Sequence, residues 1–248
     1  MFLDAHCHVE KGLKFPHYPD LEEVVERMRV KRVRAVNTGR NLKSNAGVLA
    51  IAREYPNEFY AATGLSPHDA GQANLEEEVE FVRAHADEIV AVGECGLDHH
   101  YFKDRKEQAR QLVAFEAMLE LAEGLGKPIV VHSRDAEIEV MQVLNSFNAT
   151  PLLHCLQKPK AVRLAPDSAY YSLPTLKNSA RVKLIETVPF ERLLAETDSP
   201  FLWKGGRNEP SNVIEVYGEV AQIKGIPVNE VEERFWFNAG ELFSWQKS

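Results

Sequence analysis

Short apolar segments alternate with longer amphipathic segments along almost the whole chain, and this alternation constrains the fold more than any other feature. Eight segments are typical of β-strands, and they cover residues 2–9, 34–39, 59–65, 89–95, 128–133, 151–155, 169–173 and 193–197. Apolar residues at helical spacing predict helices over residues 21–30, 42–54, 75–85, 106–125, 136–147, 211–224 and 228–243. Strands that alternate with helices predict a parallel sheet covered by helices.

The first predicted strand is not followed by the glycine-rich phosphate turn of a Rossmann fold, which favours a closed barrel over an open sheet. A length of 248 residues is typical of one (β/α)8, or TIM, barrel. No linker, repeat or shift in composition divides the chain. We therefore expect an α/β protein with one TIM-barrel domain over residues 1–248.

The overall charge limits how the protein can bind a partner. With 29 basic and 37 acidic residues the formal net charge is −8, which argues against a general electrostatic attraction for polyanions. A nucleic-acid substrate would need metal ions or a few local basic residues. Asp4 and His6 interrupt the first apolar run, and no apolar stretch approaches 18 residues, so we expect a cytoplasmic protein without membrane contact.

Side chains that can bind metals recur at the ends of the predicted strands. His6 and His8 lie two residues apart and therefore face the same side of a strand. The other candidates that end strands are Glu94, His132, His154 and Asp198. Because the carboxyl ends of the strands share one face of a barrel, all six side chains are expected to converge there. Cys7, Cys95 and Cys155 each adjoin a candidate and should face outward as small apolar fillers.

Four imidazoles and two carboxylates exceed what one tetrahedral ion needs, and they suit two divalent cations that share a carboxylate. Glu94, on a middle strand, is the natural bridge, with His6, His8 and Asp198 on one ion and His132 and His154 on the other. Zinc suits the imidazoles, whereas magnesium or manganese is common in phosphoryl transfer. Such a pair activates a water and polarises an ester or phosphodiester. Glu94 and Asp198 are the predicted catalytic residues, and Asp198 is suited to accept the proton of that water.

Five segments occur in a distinctive order: residues 4–8 (DAHCH), 92–98 (VGECGLD), 132–136 (HSRDA), 196–200 (ETDSP) and 207–210 (RNEP). They resemble the signature segments of the TatD family, which belongs to the amidohydrolase-like metal-dependent hydrolases. The resemblance extends to about residue 243. It implies a distorted TIM barrel, a binuclear metal centre on the same six residues, and deoxyribonuclease or related phosphodiesterase activity.

The chain departs from the family mainly in residues expected to contact substrate. Ser66 stands where the family usually has a histidine that contacts phosphate, and His68 could replace that histidine. Arg134, two residues beyond His132, could hold a phosphate in a bidentate way or form a salt bridge to an aspartate. Arg207, with Lys204, offers a second local basic spot after the last strand.

Two further sets of residues have predicted supporting roles. Glu196 faces the same way as Asp198, so it is expected to orient a liganding imidazole. The cluster at residues 99–102 (HHYF) either stacks on a base or decorates a loop.

Three functions remain open from the sequence. The first is a metal-dependent phosphodiesterase that acts on DNA through metals and local basic residues, without an obligate protein partner. The second is a hydrolase of C–N or carboxylic ester bonds in a small molecule, which the acidic composition suits. The third is a barrel that keeps its metals for stability and serves as a binding protein.

Overall fold

The computed structural model describes residues 1–11, 20–202 and 207–245. Eight parallel strands form one sheet in chain order, β1 to β8. The strands are β1 (Phe2–Cys7), β2 (Val33–Thr38), β3 (Phe59–Thr63), β4 (Ile89–Asp98), β5 (Ile129–Arg134), β6 (Pro151–His154), β7 (Tyr170–Leu173) and β8 (Leu193–Ala195). The helices are α1 (Leu21–Lys31), α2 (Leu42–Glu54), α3 (Leu75–Ala84), α4 (Arg105–Leu125), α5 (Glu137–Leu144), α6 (Ser179–Thr187), α7 (Ile214–Lys224) and α8 (Val228–Phe243).

The sheet curves into a nearly closed barrel, which confirms the predicted TIM fold. Its two edges meet just beyond the end of β8. There the Asp198 amide donates to the His6 carbonyl at 2.9 Å, and the His8 amide donates to the Ser199 carbonyl at 2.7 Å. Strands from both ends of the chain thus share one sheet, although the assignment of residues 1–248 to a single domain stays a prediction.

Helix boundaries follow local capping chemistry. The Asn41 side chain accepts from the Ser44 amide and begins α2 with a capping box. The Asp104 carboxylate accepts from two amides at the start of α4, and α4 ends at Gly126, whose φ of 63° is left-handed. None of the described helices is long and apolar enough to cross a bilayer.

The structure corrects the sequence-based prediction for the segment after β7, where α6 was not predicted. The helix carries little amphipathic signal, because its buried side chains are Leu184, Ile185 and an arginine, Arg181. The Asn178 side chain caps its start by accepting from the Arg181 amide at 2.9 Å. After β6 the chain forms only a short 3-10 turn, Pro159–Leu164, in place of a full helix.

Strand lengths also differ from the prediction, and these differences affect the candidate ligands. β4 continues to Asp98, so Glu94 lies inside the strand and not at its end. β1 stops at Cys7 and β8 stops at Ala195, so His8 and Asp198 lie in the turns beyond those strands. A turn lets a side chain approach the barrel axis at an angle that strand pleating does not allow.

The main core lies between the barrel and its helices. Cys7 and Cys95 are completely buried there, and Cys155 is partly buried. Burial raises the pKa of the Cys7 and Cys95 thiols well above the usual range, so both remain protonated. A protonated, buried thiol is a small apolar group, as the sequence predicts for these positions.

Candidate metal centre

One cluster of donor atoms lies where β1 and the turn after β8 meet. The Nε2 atoms of His6 and His8 are 3.0 Å apart. The Asp198 Oδ1 atom lies 3.5 Å from His6 Nε2 and 3.4 Å from His8 Nε2. His6 is completely buried, and the Asp198 side chain is only 13% exposed. These three side chains therefore direct one donor atom each at the same small volume.

A second cluster forms between β5 and β6, and Glu94 connects the two. His132 Nδ1 and His154 Nε2 lie 3.2 Å apart. Glu94 Oε1 is 3.1 Å from His132 Nδ1 and 3.6 Å from His154 Nε2. The other carboxylate oxygen, Oε2, lies 3.2 Å from His8 Nε2. The two oxygens of one carboxylate thus face two separate groups of donors.

The spacing of these atoms fits metal coordination. Zinc–nitrogen distances of 2.0–2.1 Å place tetrahedral ligand atoms about 3.4 Å apart. Distances from 3.0 to 3.9 Å separate the donor pairs around Glu94, His6 and His8. Described side chains that could hold a cation include His6 with Glu94 and His154, and His6 with His8 and Asp198. The donor set therefore suits divalent cations.

The remaining nitrogen of each imidazole faces a protein oxygen, which orients the ring. His8 Nδ1 donates to the Thr38 carbonyl at 2.8 Å, so in the neutral ring the lone pair is on Nε2, which faces the other donors. His6 Nδ1 lies 3.3 Å from the hydroxyl of the same Thr38. His154 Nδ1 lies 3.7 Å from Glu196 Oε1, and both atoms are buried without a hydrogen bond within the described part of the chain.

Asp98 orients the fourth imidazole and was missed as a functional residue. Its Oδ2 atom is 3.0 Å from His132 Nε2 and 3.0 Å from His68 Nε2. Its Oδ1 atom accepts from the His100 and Tyr101 amides. The signal was present in the sequence, because Asp98 follows Glu94 by four residues and so shares its face in an extended strand.

Two glycines allow β4 to approach its neighbours closely enough to position Glu94. Gly96 has a φ of 132°, and a Cβ there would lie 2.1 Å from the His132 carbonyl oxygen. A Cβ at Gly64 would lie 2.7 to 2.8 Å from backbone atoms of Gly93. No other residue leaves room for these contacts. The backbone of β4 is therefore held directly against the strands on both sides.

The electrostatics of the centre reflect its mixture of imidazoles and carboxylates. Burial lowers the pKa of His6 to about 4, and the neighbouring His154 adds to this. Burial would also lower the pKa of His8, but Asp198 and Glu94 outweigh it and raise this pKa to about 9. Burial opposes ionisation of Glu94, yet hydrogen bonds from His132, His154 and His8 hold its pKa well below the usual range. At neutral pH His8 therefore carries a proton that a bound cation would have to displace, whereas His6 and Glu94 do not.

The turn that carries Asp198 is anchored by another buried carboxylate. The Thr197 amide donates to Asp4 Oδ1 at 2.8 Å, and the Thr197 hydroxyl donates to Asp4 Oδ2. Asp198 itself adopts a left-handed φ of 52°. A non-glycine residue in that region costs on the order of 1–3 kcal/mol and is typical of functional sites. Asp4 thus sets the position of Asp198, and its Oδ1 atom also accepts from the His6 amide at 3.3 Å.

The predicted substrate-contacting residues lie in different surroundings. His68 adjoins the centre through Asp98. Arg134 does not form the salt bridge considered from the sequence, since its Nη1 donates to the Tyr101 hydroxyl at 3.1 Å and its guanidinium lies 4.7 Å from that ring centroid. Arg207 pairs with Glu209 at 3.2 Å and does not join the donor clusters. Lys204 lies outside the described residues.

A barrel that collects imidazoles and carboxylates at the carboxyl ends of its strands defines the class of metal-dependent TIM-barrel hydrolases. The sequence profile of the TatD related DNase family matches residues 3–244. The chain therefore belongs to the TatD family, and it is a metal-dependent hydrolase.

Known relatives resemble the chain over nearly its whole length. YabD of Bacillus subtilis, an uncharacterized metal-dependent hydrolase, is 32% identical over 260 residues, which cover 98% of this chain and 99% of YabD. The 3'-5' ssDNA/RNA exonuclease TatD of Edwardsiella piscicida is 30% identical over 246 residues, with coverage of 90% and 93%. The crystal structure of YjjV, a TatD homologue of Escherichia coli, superposes with a TM-score of 0.86 at 25% identity and covers 99% of this chain and 98% of YjjV.

Proposed function

We propose that this protein is a deoxyribonuclease or related phosphodiesterase that hydrolyses its substrate at a centre of two divalent cations. The observation that carries the proposal is the position of Glu94, whose two carboxylate oxygens face different donor clusters at 3.1 and 3.2 Å. A carboxylate that faces two groups of donors in this way suits a bridge between two ions.

The six side chains divide between the two cations as follows. His6, His8 and Asp198 would hold one ion with Glu94 Oε2, and His132 and His154 would hold the other with Glu94 Oε1. When bound, such a pair polarises a phosphodiester and lowers the pKa of a water between the ions. The imidazole-rich donor set favours zinc, and magnesium or manganese are the other candidates.

Asp198 is proposed to accept the proton of the attacking water. Hydrogen bonds from His6 and His8 lower the pKa of this carboxyl against the opposing effect of burial, so the group is ionised at neutral pH. Its side chain is 13% exposed, so solvent reaches it at the mouth of the barrel. An ionised carboxylate beside the reacting water is suited to general-base catalysis.

Residues around the mouth are proposed to bind the substrate strand. Tyr101 is 62% exposed and Arg134 covers one face of its ring, which leaves the aromatic surface and further guanidinium donors for a base and a phosphate. His68 would donate to a phosphate oxygen, with Asp98 fixing its ring. Arg207 is proposed as a more distant phosphate contact. The exonuclease activity in the name of the Edwardsiella relative supports a single-stranded substrate.

A metal-loading and hydrolysis screen tests the proposal. Protein purified without chelator is analysed for its metals, then incubated separately with zinc, magnesium or manganese. The substrates are single-stranded DNA, duplex DNA, bis(4-nitrophenyl) phosphate, and a set of amides and lactones. We expect two ions per chain and cleavage of single-stranded DNA. The Glu94→Gln variant should lose this activity, whereas the control Glu139→Gln, at a half-buried position outside the donor clusters, should retain it.

The screen also separates the other two functions that the sequence leaves open. Turnover of amides or lactones without turnover of phosphodiesters would replace the proposal with a hydrolase of small-molecule C–N or ester bonds. A folded Glu94→Gln variant with unchanged activity towards every substrate would favour a binding protein that keeps its metals for stability.

A further inference from the structure

A groove on the outside of the barrel lies between the 3-10 turn Pro159–Leu164 and α6, and its cavity volume is about 670 Å³. Its floor is apolar and includes Pro159, Val162 and Ala180. Its rim carries three exposed cationic side chains, Lys160, Arg163 and Lys183. The lining residues in the described part of the chain include no carboxylate. We call this feature the basic groove.

The groove lies in a segment whose charge is opposite to that of the rest of the chain. Residues 157–187, from the first to the last lining residue, contain six basic and two acidic residues, whereas the remainder contains 23 basic and 35 acidic residues. A local excess of positive charge in an acidic protein is typical of a surface that attracts a polyanion. The sequence therefore concentrates its basic residues around the groove.

Three of the six basic residues are occupied by ion pairs elsewhere, and the other three form the rim. Lys158 bridges Asp135 and Glu137, Lys177 lies near Glu215, and the buried Arg181 pairs with Glu219. Lys183 forms an exposed pair with Glu186 at 3.3 Å, which contributes little. Among the residues that the structure describes, Lys160 and Arg163 form no ion pair within 4.0 Å. The rim charges are thus available to a ligand.

One lining residue of the groove lies close along the chain to a candidate metal ligand. Gln157 follows His154 by three residues and donates to the Cys155 carbonyl at 2.9 Å. The Asn178 side chain donates to Gln157 at 3.0 Å and links the start of α6 to the same turn. From there the groove follows α6 to its last residue, Thr187. These contacts link the groove, through Gln157, to the turn that follows His154.

We propose that the basic groove binds the backbone of a single-stranded nucleic acid whose scissile bond lies at the metal centre, an inference that rests on the function proposed above. The nine residues of α6 extend about 13 Å, which spans two to four phosphates. The three cations on the rim fall within this range of two to four phosphates. The apolar floor receives bases, which are exposed in a single strand and stacked inside a duplex.

The test compares two triple variants that remove the same charge. Lys160→Ala/Arg163→Ala/Lys183→Ala removes the rim, and Lys31→Ala/Arg53→Ala/Arg83→Ala removes three exposed cations from the opposite end of the barrel. Binding of a fluorescein-labelled 12-nucleotide thymidine strand is measured by anisotropy in a Glu94→Gln background across a salt series. Hydrolysis of the same strand and of bis(4-nitrophenyl) phosphate is measured with Glu94 intact.

Each phosphate contact to a single strand contributes about −0.7 to the slope of log affinity against log salt. Loss of the rim should therefore reduce the magnitude of the slope by about 2 and weaken binding roughly 10- to 100-fold at 0.1 M salt. kcat/KM for the strand should fall while turnover of the small diester stays unchanged. The charge-preserving Lys160→Arg/Lys183→Arg variant should retain both affinity and slope.

One outcome would overturn the strand-binding inference alone, and another would overturn the proposed nuclease function alone. If the rim variant binds and cleaves the strand as well as the opposite-end variant does, the groove is not a strand-binding site, and the nuclease proposal still stands. If the parent protein cleaves neither substrate, the nuclease proposal fails, and the anisotropy slopes still decide whether the groove binds a nucleic-acid strand.

Discussion

Replacement of Asp98 by asparagine tests whether the carboxylate next to His132 sets the tautomer of a metal-binding imidazole. In the native protein Asp98 Oδ2 can only accept, so His132 Nε2 carries the proton and Nδ1 is left with a lone pair facing Glu94 and His154. Hydrogen bonds from His132 and His68 lower the pKa of Asp98 against the effect of burial, so the carboxylate is ionised at neutral pH. The geometry thus requires an acceptor at this position.

An asparagine cannot satisfy both sides of this site. If its oxygen accepts from the His100 and Tyr101 amides, its NH2 group faces two imidazole nitrogens and forces the proton of His132 onto Nδ1. If the amide flips, the NH2 group faces two backbone N–H donors, and leaving a buried donor unsatisfied costs about 1–3 kcal/mol. Either arrangement disfavours the cation bound by His132 and His154.

The expected magnitude follows from this loss of orientation. Removing the partner that orients a liganding histidine typically weakens metal binding 10- to 100-fold, or about 1.4–2.8 kcal/mol. Competition with a chromophoric chelator should therefore show one cation bound less tightly by that factor and the other nearly unchanged. Activity at subsaturating metal should fall, and added metal should restore part of it.

The exposed Asp135→Asn variant is the matched control, because Asp135 also lies 3.0 Å from a histidine, His100, but outside the donor clusters. It should bind both cations like the native protein. Equal affinity of Asp98→Asn and native protein for both cations would refute the tautomer argument.

Three further predictions concern stability and pH. Gly96→Ala should cost more than about 3 kcal/mol of unfolding free energy or give insoluble protein, because its Cβ would meet the His132 carbonyl oxygen at 2.1 Å. The control Gly124→Ala, where nothing lies within 4 Å of the new Cβ, should stabilise α4 by up to about 1 kcal/mol in denaturant titrations. Chelator treatment should lower Tm by about 10–20 °C if both ions are present at 100-fold their Kd, because each then contributes about 2.7 kcal/mol. Calorimetry of Glu94→Gln should show little of this shift. Because the pKa of His8 is raised to about 9 from 6.5, the metal-free protein gains stability from this proton below pH 6.5 and loses it as the pH rises through 9. Zinc must displace the His8 proton, so the apparent zinc affinity should increase between pH 6 and 9. Titration calorimetry in buffers of different ionisation enthalpy should detect the released proton. A zinc affinity that does not depend on pH would contradict this prediction.

Much of the fold could be predicted from the sequence because its signals are local. Apolar runs of strand length and apolar residues at helical spacing report which residues face a core, and they placed all eight strands in their correct order. α6 was not predicted, because an arginine occupies one of its buried positions and the hydrophobic periodicity of the helix is therefore weak. The residue types and their spacing also identified the six candidate ligands, because the carboxyl ends of all strands meet at one end of a parallel barrel. The order of the signature segments identified the family.

Only the tertiary structure decided how these residues meet. The approach of β4 to its neighbours at Gly64 and Gly96 places Glu94 inside a strand, with one oxygen towards each donor cluster. Residues distant in sequence likewise meet in the contact of Arg134 with Tyr101, in the position of Asp98 between two imidazoles, and in the basic groove beside α6. Hydrophobic periodicity specifies which face of an element is buried, but the register between elements depends on packing across the whole barrel.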